Sequence, residues 1–200
     1  MVRRPGTGDT TLVLLHGLGS NEHDLISLAE MFAPEIEVVS FRAPLPYGPG
    51  FSWFPIEFDE HGIRVDGVQC LDAIDRLLGE LQILRDQTSK LIVGGFSQGA
   101  IMTSGVLAKE PAMLNGAVMM SGRYLPAFFD AAEQDIEPAL PMLVQHGIYD
   151  PVLPIEGARE LRGALVELGY APEYREYPMG HEVSQSSLAD LNDWLSRQIA

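Results

Sequence analysis

The chain is expected to fold as an α/β protein, a mostly parallel sheet with helices on both faces. Short apolar runs alternate with longer amphipathic stretches, the pattern of strands and crossover helices. Several of those runs, LIVGG and AVMMSG above all, are apolar on both alternating faces, as strands covered on both sides must be. No repeat, low-complexity tract or long linker divides the 200 residues. A single domain over 1–200 is therefore expected, with enough chain to bury a real core.

Candidate strands are Thr11–His16, Glu37–Phe41, Lys90–Gly94, Gly116–Ser121, Met142–His146 and Glu173–Tyr177. The clearest helix runs from Val65 to Leu84, where Val65, Val68, Leu71, Ile74, Leu77, Leu78, Leu81 and Leu84 form an apolar stripe. Further helices are expected over Glu22–Phe32, Gln98–Lys109, Ile155–Leu168, stopped by Gly169, and Val183–Ile199. Between Ala43 and Gly62 the chain is rich in Pro, Gly and aromatics, which reads as a long functional loop with room for a short hairpin.

Composition narrows the function. Lys and Arg total 13 against 28 Asp and Glu, a net charge of −15. Such a surface repels phosphate backbones and anionic lipid heads, which disfavours nucleic-acid binding and electrostatic membrane docking. The apolar run Leu12–Leu15 is too short to span a bilayer, and no apolar segment follows the first arginines as a secretion signal requires. One cysteine, Cys70, cannot form an internal disulfide, in keeping with a cytoplasmic protein. No His-x-x-x-His or Cys-x-x-Cys spacing exists, so no metal or cofactor is expected.

Chemistry concentrates in Gly95-Phe96-Ser97-Gln98-Gly99. A serine nucleophile in this G-x-S-x-G pattern sits on a strained turn between a strand and a helix, and here an apolar strand precedes the motif and a helical stripe follows it. The competing reading is a tight connection whose serine merely caps the helix. A serine hydroxyl needs a histidine to take its proton and an acid to orient that histidine, in the chain order Ser, acid, His. Asp150 directly follows the strand Met142–His146, and His181 follows the last candidate strand after Gly180. The other histidines fit less well: His16 and His146 sit at strand ends, His23 at a helix start and His61 in the long loop. Asp190 and Asp193 fall within the final helix, and Asp135 and Glu137 precede rather than follow their strand.

Attack on a carbonyl also needs amide donors where the oxyanion develops. The backbone N–H of Gln98 is one candidate. Leu18 N–H, in the loop His16-Gly17-Leu18-Gly19-Ser20, is the other, with Asp24 placed either to brace that loop or to favour a helix start.

Together, LLHGLGSNEHDL, GGFSQGA, HGIYDPVLP and YPMGHEV resemble the acyl-protein thioesterase/carboxylesterase group, also described as phospholipase/carboxylesterase. The likeness runs from about Leu12 to the final helix. It implies an α/β-hydrolase fold without a large cap, triad roles for Ser97, Asp150 and His181, and a small acyl ester or thioester as substrate. Arg42-Ala43-Pro44 through Ser52-Trp53-Phe54 looks like that group's Pro-rich loop, whose Trp-aromatic pair lies near substrate. Ser20 departs from it, standing where many relatives carry Asp. Candidate acyl-pocket residues are Trp53, Phe54, Tyr124, Leu125, Phe128 and Phe129, which follow strands on the side where such sheets bind ligands. A triad acting on a lactone, lysophospholipid or peptide, and a hydrolase fold kept as a binding or regulatory module, are the alternatives. A homodimer is one arrangement the sequence allows.

Overall fold

A computed structural model describes residues 1–59, 62–130 and 139–199. Its strands and helices, in chain order, are β1 (Val2–Arg4), β2 (Thr10–Leu15), β3 (Ile36–Phe41), β4 (Leu45–Tyr47), β5 (Gly50–Ser52), β6 (Glu57–Asp59), β7 (Gly62–Arg64), α1 (Gly67–Arg85), β8 (Lys90–Phe96), α2 (Gln98–Lys109), β9 (Gly116–Met120), α3 (Pro126–Phe129), β10 (Met142–Gly147), α4 (Ile155–Glu167), β11 (Glu173–Tyr177) and α5 (Gln185–Ile199). The main sheet has the order β1-β3-β2-β8-β9-β10-β11. Every pairing in it is parallel except that of β1 with β3.

Period-two alternation divides the core. Val13, Leu15, Val39, Val93, Met119 and Val144 point to one face, where α1, α2 and α4 cover them. Leu12, Leu14, Val38, Ile92, Val118 and Leu143 point to the other, under α5 and the segment Leu25–Met31. A strand buried on both sides has no polar face to present, which is why these runs read as continuous hydrophobics. The expected α/β layering is what forms. Among the described residues no large cap covers the sheet, and no helix is long and apolar enough to cross a membrane.

Several boundaries differ from the sequence expectation. Glu22–Phe32 does not form an α-helix; a 3-10 segment spans Leu25–Met31. Ser27 bonds Asp24 O through both its amide (3.2 Å) and its hydroxyl (2.6 Å), and such local side-chain bonding competes with α-helical pairing. The first long helix starts at Gly67, because Asp66 caps it by accepting from the amides of Val68 and Gln69. Its buried face is Cys70, Ala73, Ile74, Leu77, Leu81 and Leu84, while Val68 is 69% exposed. Of the expected stripe, Ile74, Leu77, Leu81 and Leu84 are buried and Val65, Leu71 and Leu78 pack against the core, so Val68 alone turns outward while Cys70 and Ala73 join the buried face. The long loop holds two hairpins, β4-β5 and β6-β7. β1 and α3 carry too few residues to give a periodic signal. His61, Asp135 and Glu137 lie outside the described residues.

Candidate active site

The parallel register brings the loops after β2, β3 and β8 to one edge: Leu15 pairs with both Phe41 and Gly95. At that edge the chain turns from β8 into α2 at Ser97, whose φ of 55° and ψ of −116° lie where side-chain-bearing residues rarely go. The turn is possible only with glycine beside it. A Cβ on Gly99 would lie 1.9 Å from Leu15 O, and one on Gly95 would lie 2.2 Å from Gly99 C. The strained conformation lifts Ser97 Oγ off the helix start toward the loops after β10 and β11.

Asp150 and His181 stand on those loops. Ser97 Oγ–H donates to His181 Nε2 at 2.9 Å, and His181 Nδ1–H donates to Asp150 Oδ2 at 2.6 Å. The other carboxylate oxygen of Asp150 accepts from the amides of Val152 and Leu153, both at 2.9 Å. The carboxylate is thereby fixed as an acceptor toward His181, which assigns the imidazole proton to Nδ1 and leaves Nε2 bare. His146, fully buried, donates from Nε2 to Leu153 O at 2.7 Å and approaches Asp150 Oδ2 at 3.4 Å. Phe96 packs on the His181 ring, centroids 4.8 Å apart. This geometry lets an imidazole accept a hydroxyl proton and return it.

Neither the Leu18 nor the Gln98 amide hydrogen has an acceptor among the described residues. Gln98 N–H opens α2, where no preceding turn can satisfy it. The loop carrying Leu18 is zipped to the β4-β5 hairpin: Gly19 N–H donates to Phe51 O and Phe51 N–H to Ser20 O, both at 2.9 Å. Gly50 passes so close that a Cβ there would lie 2.1 Å from Gly19 O. Ser20 Oγ–H donates to Asp24 Oδ2 at 2.6 Å, so Asp24 braces this loop and makes no side-chain cap.

The aromatic segment is held by Gln98. Its Oε1 accepts from Trp53 N–H (2.9 Å), and its Nε2 donates to Phe54 O (2.9 Å) and Ser52 Oγ (3.0 Å). Trp53 Nε1–H donates to His16 O at 2.9 Å. His16 donates from Nδ1 to Gly17 O (2.8 Å) and accepts Ala43 N–H at Nε2 (3.1 Å), which requires the neutral ring; burial accordingly lowers its pKa. A further brace joins buried Glu22 to Arg42 by paired hydrogen bonds of 2.5 and 2.6 Å, and the Arg42 guanidinium lies 4.6 Å from the Phe51 ring centroid. Those bonds hold the Glu22 carboxyl down at about 2.

A cavity of about 200 Å³ opens beside Ser97, walled by Leu18, Phe54, Ile56, Val65, Gln98, Ile101, Arg123, Val152, Leu153 and His181. Of the expected pocket residues only Phe54 reaches it. Trp53 turns inward as a brace and borders a separate cavity instead. Leu125 and Phe128 are buried in the core, with Tyr124 and Phe129 packed against it. Pro126 starts α3 immediately after Leu125, and that short turn folds the four side chains away from Ser97. The side chains of Gln98, Glu22, Arg42 and Arg123 were not singled out from the sequence. A signal existed only for Arg123, a charge just past a strand end on the ligand-binding side of the sheet.

The parallel sheet, the strained serine turn and the ordered Ser, Asp and His loops define the class, the α/β-hydrolase fold. Residues 3–199 match the family model described as phospholipase/carboxylesterase, and the chain belongs to that family of hydrolases. It is 30% identical over 204 residues to a putative hydrolase, MhqD, of Bacillus subtilis, covering 97% of this chain and 96% of that one. It is 28% identical to an acyl-protein thioesterase 1 of Neurospora crassa, over 94% of this chain and 86% of that one. The crystal structure of a Bacillus cereus carboxylesterase superposes with a TM-score of 0.86 at 21% identity, covering 98% and 93% of the two chains, a likeness of fold.

Proposed function

We propose that this chain is a serine esterase or thioesterase acting through a Ser97–His181–Asp150 triad and an acyl-enzyme. The observation that carries the reading is His181, bonded on one side to Ser97 Oγ at 2.9 Å and on the other to Asp150 Oδ2 at 2.6 Å. Ser97 Oγ attacks the substrate carbonyl as His181 Nε2 takes its proton, and Asp150 balances the imidazolium. The oxyanion develops against the amides of Leu18 and Gln98, each such donor typically worth about 3 kcal/mol. The tetrahedral intermediate collapses as His181 returns the proton to the leaving alcohol or thiol, leaving an acyl-Ser97 ester. Water, deprotonated by His181, repeats the sequence and frees the acid.

Cavity size sets the acyl group. An apolar cavity of 150 Å³ accepts benzene, so a cavity of about 200 Å³ admits roughly eight non-hydrogen atoms. Short acyl groups are the expected substrates. A fluorophosphonate probe should label the protein once, and Ser97→Ala should abolish both labelling and turnover. Labelling that survives Ser97→Ala overturns the assignment. A series of ethyl esters and thioesters with lengthening acyl chains should peak at short lengths.

A further inference from the structure

We propose that Arg123 is a specificity residue that binds a carboxylate on the acyl part of the substrate, so that half-esters or half-thioesters of short dicarboxylic acids are preferred. The inference rests on the serine-hydrolase reading above. Three independent observations carry it.

Among the described residues, the cavity beside Ser97 is apolar apart from Ser97, His181, Gln98 and Arg123. Leu18, Phe54, Ile56, Val65, Ile101, Val152 and Leu153 supply its walls, and among the described residues no carboxylate lines it. Arg123 makes no ion pair with any described residue, although other arginines of the chain, Arg42 and Arg159 among them, are matched to an acid. Asp66, at the start of α1, caps that helix through Oδ1, which accepts from the amides of Val68 and Gln69. An arginine at the wall of an apolar cavity, with no acid matched to it among the described residues, offers a fork shaped for a carboxylate.

The backbone that delivers Arg123 is strained. Ser97 and Ser121 are the non-glycine residues with positive φ among those described, Ser121 at 51°. Both end adjacent strands, β8 and β9, at the same edge of the sheet. Ser121 is fully buried and its hydroxyl has no partner among the described residues, so local side-chain bonding does not account for the turn. The turn instead carries Gly122 across α2, where a Cβ would lie 2.8 Å from Ala100 Cβ, and sets the Arg123 Cβ against Gly157 of α4. Strain of this kind persists where the surroundings fix it, and it gathers at functional sites.

The second cavity at His181 places the anion on the acyl side. It lies beyond the imidazole, bordered by Asp24 and Glu182 with Leu25, Leu28, Phe96 and Val183. Only the first cavity also touches Ser97 and Gln98. The acyl group, which becomes bonded to Ser97, therefore lies beside Arg123, and the leaving group departs past His181 toward acids that repel an anion. The net charge of −15 also repels anions at long range, so their capture needs a local cation.

The test compares monoethyl glutarate with ethyl valerate, esters of equal chain length that differ in a terminal carboxylate. Alkyl leaving groups keep that carboxylate from cleaving its own ester. The expected kcat/KM ratio favours the half-ester at least tenfold. Arg123→Gln should collapse the ratio by about ten- to a hundredfold, and Arg123→Lys, which keeps charge but not the fork, should fall between. The ratio is internal to each protein, so partial misfolding does not mimic the effect. Glutarate binding to Ser97→Ala, read by calorimetry, should vanish in Ser97→Ala/Arg123→Gln. Turnover of both esters with no preference and no glutarate binding overturns the Arg123 proposal and leaves the hydrolase intact. Arg123-dependent glutarate binding without turnover of any ester upholds the anion site and overturns the hydrolase reading.

Discussion

At the scale of single residues, Asp150 is the most constrained member of the site. One of its oxygens is held by the amides of Val152 and Leu153, so only the other faces His181. Replacement by Asn keeps the shape but must leave its carbonyl toward those two donors, which turns its NH₂ toward His181 Nδ1. The imidazole then has to accept at Nδ1 and carry its proton on Nε2, where it can no longer take one from Ser97. Asp150→Asn is expected to lower kcat by about 10⁴-fold while the protein stays folded. Ester hydrolysis and circular dichroism measured together check this; a loss below tenfold would mean that Asp150 does not set the tautomer. Side-chain exchanges leave a backbone donor in place, but Leu18→Pro deletes one N–H and should lower the kcat of ester hydrolysis about 10²-fold or more.

At the scale of elements, the link between α2 and the aromatic segment decides whether the cavity keeps its wall. Gln98 is buried and bonds Ser52, Trp53 and Phe54 across a separation of more than forty residues. Gln98→Leu preserves most of the volume but strands Trp53 N–H and removes one of the two donors to Phe54 O, which keeps the Ser52 hydroxyl. An unsatisfied buried donor costs about 1–3 kcal/mol and the lost bond to Phe54 O about 1 kcal/mol more, so a total loss near 3 kcal/mol is expected. For a chain of this size that corresponds to a fall in Tm of about 6–12 °C, measurable by calorimetry, with slower fluorophosphonate labelling. An unchanged Tm would show that the segment is held without Gln98. The same interaction marks the limit of what the sequence reveals. Strands, helices and the order Ser97, Asp150, His181 are legible because they follow from local periodicity and from a chain order. The partners of the Gln98 side chain are not, because they depend on how the long loop returns over α2. Trp53 and Phe54 are adjacent in sequence, yet one braces the His16 carbonyl and the other lines the cavity. The residues after β9 were expected at the pocket, and a four-residue helix turned them into the core while leaving Arg123 at its wall.

At the scale of the whole molecule, acid stability should report the frame around the site. Glu22 and His16 both hold the loop that presents Leu18, and both titrate away from their ordinary values. Glu22 lies at about 2 because Arg42 stabilises its ionised form. The unfolded chain, with an ordinary glutamate near 4.3, takes up the proton first as pH falls. The contribution of the pair is therefore complete above that ordinary value, and it is lost as pH drops from there toward about 2. His16 acts in the same direction: burial favours its neutral form, so its contribution is full above the ordinary histidine range and fades on acidification. Glu22→Gln removes only the first of these. The variant should be less stable than the parent at pH 7, and the gap should narrow between pH 4 and pH 3 as the parent's Glu22 loses its advantage. Urea unfolding midpoints across that interval measure the gap. A difference that stays constant from pH 7 to pH 3 would place the stabilisation in packing of the Glu22 stem rather than in its charge. A difference that narrows would tie the loop bearing Leu18, the proposed oxyanion donor, to the Glu22–Arg42 ion pair.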